Sequence, residues 1–84
     1  MGALVPLYGF LDGDTLGVLV LVHDDDRVAA VADTLQRAAA MRVEPRPRLR
    51  VVFRGEALAD DLTVAQAGLS ALDCVRVVPA ESVP

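Results

Sequence analysis

The pattern of apolar positions changes along the chain, and the changes mark the elements. Two apolar runs, residues 5–11 and 15–22, flank Asp12-Gly13. Asp-Gly between such runs is a strong hairpin signal, because both residues tolerate positive φ. Asp24, Asp25 and Asp26 follow, where carboxylates would cap a helix start and meet the positive end of its dipole. From Arg27 to Met41 the period becomes helical: Val28, Val31, Ala32, Leu35 and Ala39 recur at i, i+3, i+4, i+7 and i+11 as one core-facing stripe. Pro45 and Pro47 end the helix and force an extended crossing. Residues 49–54 alternate and predict a third strand, and Gly55 permits a turn. Thr63-Val64-Ala65-Gln66 has the spacing of a capping box, with Gly68 placed to close that short turn. Residues 71–78 supply the last strand. The order β-β-α-β-turn-β predicts an α+β chain with one main helix on one face of a mostly antiparallel sheet.

The same pattern sorts side chains between the two faces. If Leu16, Val18, Val20 and Val22 point inward, then Gly17, Leu19 and Leu21 point outward. A two-residue turn at Asp12-Gly13 puts Tyr8 and Phe10 on that same outer side, since opposite residues share a face. A sheet covered on one side carries polar residues on the other, and this strand does not. In the third strand, Leu49, Val51 and Phe53 inward leave Arg48, Arg50, Val52 and Arg54 outward. In the last strand, Val75 and Val77 inward leave Cys74, Arg76 and Val78 outward. With those two strands paired, Val52 and Val78 form an apolar spot ringed by arginines. The expected protein interface is therefore Tyr8, Phe10, Leu19, Leu21, Arg48, Arg50, Val52, Arg54, Arg76 and Val78. The outer side of the helix, with Ala29, Ala30, Asp33, Arg37 and Ala40, reads as an idle surface rich in good helix formers.

At 84 residues the chain predicts a single domain over 1–84, ordered from about 4 to 79, with a short tail over 80–84. The mean hydropathy of +0.43 excludes a disordered chain. The longest uncharged apolar run, residues 15–22, falls far short of the ~20 residues that cross a bilayer, so no membrane partner is expected. A net charge of −4 argues against general nucleic-acid binding. All eight Lys and Arg positions are arginine, and five of them cluster over residues 42–54, while acids concentrate at 12, 14, 24–26, 60 and 61. That segregation predicts a bipolar molecule. Cys74, the single cysteine, excludes a disulfide framework and suits a reducing cytoplasm.

Candidate chemistry is sparse. His23 is the single histidine and has no second His or Cys spaced to share a metal. Asp24–Asp26 lack the spacing and closing Glu of a calcium loop. Ser70 and Ser82 have no base nearby, no Gly-rich phosphate loop exists, and Glu-x-x-His, a diiron motif, is absent. A standalone enzyme needs a convergent set of such groups, so neither a catalytic residue nor a cofactor is expected in this chain.

Leu49-Arg-Val-Val-Phe-Arg-Gly-Glu-Ala-Leu58, with Asp60-Asp-Leu-Thr-Val-Ala-Gln-Ala-Gly-Leu69 and the terminal strand, resembles ubiquitin. That likeness implies a β-grasp fold, a mixed four- to five-stranded sheet with one main helix. The sequence as given ends Glu81-Ser82-Val83-Pro84, without Gly-Gly, and contains no lysine, so covalent conjugation is not expected. A narrower resemblance spans about residues 6–78. Pro6 and Phe10 before the hairpin, the Asp-rich helix start, Arg42-Val43-x-Pro45, and Leu62-Thr63-Val64-Ala65-x-Ala67-Gly68-Leu69 are similar to the small B (gamma) subunit of toluene-type multicomponent monooxygenases. The resemblance implies a non-catalytic accessory subunit of a soluble, cytoplasmic diiron hydroxylase that oxidises aromatic or alkene hydrocarbons. Its implied partners are the large catalytic subunit, which would hold the diiron centre, and that enzyme's second subunit. The rival reading is a ubiquitin-like binding module of another bacterial assembly, such as a secretion system.

Overall fold

Strands β1 (Leu4–Leu11) and β2 (Gly17–His23) are followed by helix α1 (Val28–Ala38), then β3 (Leu49–Phe53), β4 (Glu56–Ala57) and β5 (Cys74–Pro79). This computed structural model describes residues 2–83; Met1 and Pro84 of the expected domain lie outside the described residues. The strands form one sheet in the order β2-β1-β5-β3-β4. β1 and β5 run parallel and every other neighbouring pair antiparallel. Residues expected as a loose tail include a 3₁₀ turn over Ala80–Ser82, tied back by the Ala80 N–H to the Arg48 carbonyl at 3.1 Å.

The helical stripe lands as its period predicts: Val28, Val31, Ala32, Leu35 and Ala39 are buried. They meet the inward residues of the sheet, Val5, Leu7 and Leu11 of β1, Val20 and Val22 of β2, and Val51, Val75 and Val77. Leu35, fully buried, sits over Gly9 of β1. A Cβ at Gly9 would stand 2.8 Å from both Leu35 methyl carbons. The missing side chain therefore lets the helix seat its largest core residue directly on the β1 backbone.

The hairpin is longer than the two-residue turn expected at Asp12-Gly13. Its outermost pair is Phe10 with Gly17, and residues 12–16 connect the strands. Leu11 turns from β2 to pair with Val77 of β5 and buries its side chain. Asp14 then accepts the N–H of Leu16 at 3.2 Å, a side-chain turn of its own. The register is displaced by two residues from the expected one: Tyr8 faces Leu19 rather than Gly17. An even displacement preserves which face each side chain occupies. Leu16, expected in the core, precedes the strand and is exposed.

The three aspartates do not cap the helix. Arg27 occupies the N-cap and makes no side-chain capping bond. Asp26 instead accepts the N–H of His23 at 2.8 Å, closing the turn before the helix. The N–H groups of Val28 and Ala29 go to the carbonyls of Leu62 and Asp60, at 2.8 and 3.2 Å. A loop distant in sequence satisfies the helix start, which local spacing cannot reveal. That loop carries the expected capping box: Gln66 N–H donates to Thr63 Oγ1 at 3.1 Å, and Thr63 N–H to Gln66 Oε1 at 3.0 Å. Thr63→Ala should cost about 1 kcal/mol in urea denaturation; an unchanged midpoint would deny the turn this role.

Nor is the molecule bipolar. The hairpin loop and the chain leaving α1 meet at one end of the fold, so opposite charges pair. Arg42 Nη2 lies 2.9 Å from Asp14 Oδ2, Arg46 Nη1 lies 2.9 Å from Asp12 Oδ2, and Arg50 Nε lies 3.9 Å from Asp60 Oδ1. Arg42 also donates from Nε to both Asp14 oxygens, a fork that favours the ionised carboxylate. The Arg42 hydrogen bonds hold the Asp14 carboxyl below the usual aspartate value. A lowered folded value contributes stability that is whole above the ordinary aspartate pKa and lost as pH falls through the folded one. A carbon-13 pH titration should find Asp14 titrating low, and Arg42→Ala should move its midpoint upward. A midpoint indifferent to Arg42 would show that the fork does not form in solution.

Candidate protein interface

The helix covers one face of the sheet and leaves the other open. On that open face β1 presents Leu4, Pro6, Tyr8 and Phe10, and β2 presents Gly17, Leu19 and Leu21, because their neighbours alternate into the core. Leu4, Tyr8, Phe10, Leu19 and Leu21 are between 43% and 61% exposed. They account for most of the large exposed hydrophobic residues among those described. Scattered exposed apolar residues are ordinary; this many on one hairpin face form a patch.

The patch has internal order. Tyr8 and Phe10 stack with ring centroids 6.4 Å apart. Phe10 also lies across the backbone of Gly17, its cross-strand neighbour: a Cβ there would stand 2.7 Å from the ring. Across the sheet, the same level carries Arg76 of β5 beside Phe10 and Val52 of β3 beside Arg76. An apolar half over β1 and β2 thus passes into a half bearing arginine.

The other expected residues separate. Val78 lies opposite Arg50 and is 7% exposed, so it offers no free surface and the expected Val52–Val78 spot does not form. Central β5 gives Val78 neighbours on both sides, with the end of β1 tied to it through the Asp12 N–H and the Val77 carbonyl at 2.8 Å. Arg50 does not ring the face either. Its guanidinium donates to the Leu58 carbonyl at 2.9 Å and is only partly exposed. Arg54 turns at the β3–β4 connection and places its guanidinium 4.9 Å from the centre of the Phe53 ring. Arg48 is exposed just before β3. Leu4 was missed, although alternation carried one step back from Val5 puts it on the outer side.

No group of three or more His, Cys, Asp or Glu side chains that could hold a metal ion occurs among the described residues. The residues present therefore do not fit a diiron centre. None of the described helices is long and apolar enough to cross a membrane.

The profile of the family described as toluene-4-monooxygenase system protein B (TmoB) matches residues 4–78. The chain belongs to this family. Among solved structures, a chain of a toluene 4-monooxygenase HD complex with the inhibitor 4-bromobenzoate is 28% identical, with a TM-score of 0.85 over 92% of this chain and 99% of that one. The ubiquitin of Caldiarchaeum subterraneum follows at 20% identity and TM-score 0.72, over 92% of this chain and 94% of that one. The ubiquitin-like domain of Plasmodium falciparum Dsk2 has 16% identity and TM-score 0.71, over 93% of this chain and 100% of that one. These two establish the β-grasp fold alone. No curated protein matches by sequence. As a member of the system protein B family, the chain is an accessory subunit of a monooxygenase.

Proposed function

We propose that this member of the system protein B family is the small, non-catalytic subunit of a cytoplasmic diiron hydroxylase that oxidises aromatic or alkene hydrocarbons. It binds the large catalytic subunit through the outer face of β1 and β2, with Arg76 and Val52 at the border. The diiron centre belongs to the large subunit. The observation that carries the docking reading is the stacked, exposed apolar face built by Leu4, Tyr8, Phe10, Leu19 and Leu21. Water is a poor neighbour for such a patch, and an apolar centre bordered by arginine suits a protein contact. The family match over residues 4–78 favours this reading over a secretion module. Co-expression with the large subunit of a toluene-type monooxygenase hydroxylase, followed by size-exclusion chromatography, tests it. Co-elution in fixed stoichiometry is expected; separate elution at micromolar concentration would contradict it.

A further inference from the structure

The sheet has two outer strands, and they are finished differently. β4, at one end, is two residues long and contains Glu56, which leaves little edge to pair with. β2, at the other end, runs seven residues from Gly17 to His23. Exposed edges are normally blunted by lysine, proline, a bulge or an inward charge. Gly17-Val-Leu-Val-Leu-Val22 contains no charged residue and no proline, and pairs with β1 without a bulge.

The direction of the backbone groups on this edge follows from the ladder. The Pro6 carbonyl accepts the Leu72 N–H at 2.6 Å, and the Tyr8 N–H donates to the Asp73 carbonyl at 2.9 Å. Pro6 and Tyr8 therefore direct their main-chain groups toward the β5 side. Their partners on β2 are Leu21 and Leu19. In an antiparallel ladder such non-bonded pairs alternate with bonded ones. Leu19 and Leu21 therefore turn their N–H and C=O groups away from β1, to the free edge. The same two residues hold their side chains outward on the apolar face. Main-chain groups and apolar side chains thus stand available together at one strip of surface, as strand addition requires.

We propose that the free edge of β2 receives an extended segment of the large subunit as a sixth strand, continuing the sheet into the partner. The inference rests on the docking reading above and specifies how contact is made. The segment carries large apolar side chains at alternate positions, to lie beside Leu19 and Leu21, and Lys or Arg at the end beside Asp24–Asp26. The charge argument is local: the acidic run begins where β2 ends, and the exposed Asp25 carboxylate makes no hydrogen bond or ion pair among the described residues. A second copy of this chain would bring its own net charge of −4 to the same edge, whereas a basic-flanked segment brings the opposite sign.

Leu21→Pro and Leu21→Ala, each co-expressed with the large subunit, separate the backbone from the side chain. Both remove the leucine, but only proline removes the edge N–H and sets a ring against an incoming strand. Proline is tolerated on an edge strand where its N–H would face solvent, and circular dichroism checks that the fold survives. Leu21→Pro should bind the large subunit at least roughly tenfold more weakly than Leu21→Ala, the scale of one lost hydrogen bond. In the wild-type complex the Leu19 and Leu21 amides should gain protection from hydrogen exchange, and this measurement decides alone if Leu21→Pro does not fold. Equal binding of the two variants, with both amides exchanging as in the free chain, overturns strand addition and leaves face-to-face docking standing. Failure of the wild-type chain to bind overturns both. A dimer of the isolated chain in sedimentation that Leu21→Pro abolishes assigns the edge to a second copy instead.

Discussion

Leu35→Ala should lower the melting temperature by roughly 10–30 °C, the equivalent of about 2–5 kcal/mol in a domain of this length. Leu35 is fully buried where α1 crosses the sheet, and its methyl groups rest over Gly9. Truncation removes apolar surface from the core and leaves a cavity that the stiff sheet cannot close. Gly9→Ala tests the same contact from the other side. Its new methyl would meet both Leu35 methyl carbons at 2.8 Å, and overpacking of that kind costs about 1–3 kcal/mol. The two changes should not add. In the Leu35→Ala background the Gly9 methyl enters vacated space, so Gly9→Ala should cost far less there or even stabilise. A double-mutant cycle by urea denaturation measures the coupling. Strictly additive costs would mean that Gly9 and Leu35 do not touch, and that the helix sits elsewhere on the sheet.

Leu21→Asp should abolish co-purification with the large subunit while leaving the isolated chain folded. Leu21 is 61% exposed and points away from the core, so the aspartate is solvated in the free chain. In the complex the carboxylate would be pressed against an apolar partner without a hydrogen-bond donor. That desolvation costs several kcal/mol, enough to weaken binding by about a thousandfold. Val52→Asp, at the border of the face, should also impair assembly, though less. Ala30→Arg on the outer side of α1 is the control and should bind as wild type. Loss of assembly with Ala30→Arg but not with Leu21→Asp would move the interface to the helix.

What the sequence made legible was set by local periodicity. The stripe of α1 and the face of each strand follow from periods of 3.6 and 2, and these survive small errors of register. The hairpin illustrates this: its loop was misjudged by two residues, yet Tyr8, Phe10, Leu19 and Leu21 stayed together on the outer side. The failures that change the picture of the surface are long-range. Asp24–Asp26 look like a helix cap until the carbonyls of Asp60 and Leu62 are seen to occupy that position. The arginines of residues 42–54 look like one pole until folding brings Asp12 and Asp14 to Arg46 and Arg42. Arg50 and Val78 look like surface because alternation reports direction and not cover. The family resemblance was legible because it rests on the order of short motifs, which the match over residues 4–78 bears out.

Hydroxyl-radical footprinting of the chain, free and bound to the large subunit, tests the central claim most directly, because it reads side-chain exposure without mutation. Tyr8, Phe10, Leu19 and Leu21 should react in the free chain and become protected in the complex. Met41, 96% exposed just beyond α1 and away from the sheet's outer face, should react equally in both. Protection of Met41 with unchanged reactivity at Tyr8 and Phe10 would contradict docking through the sheet.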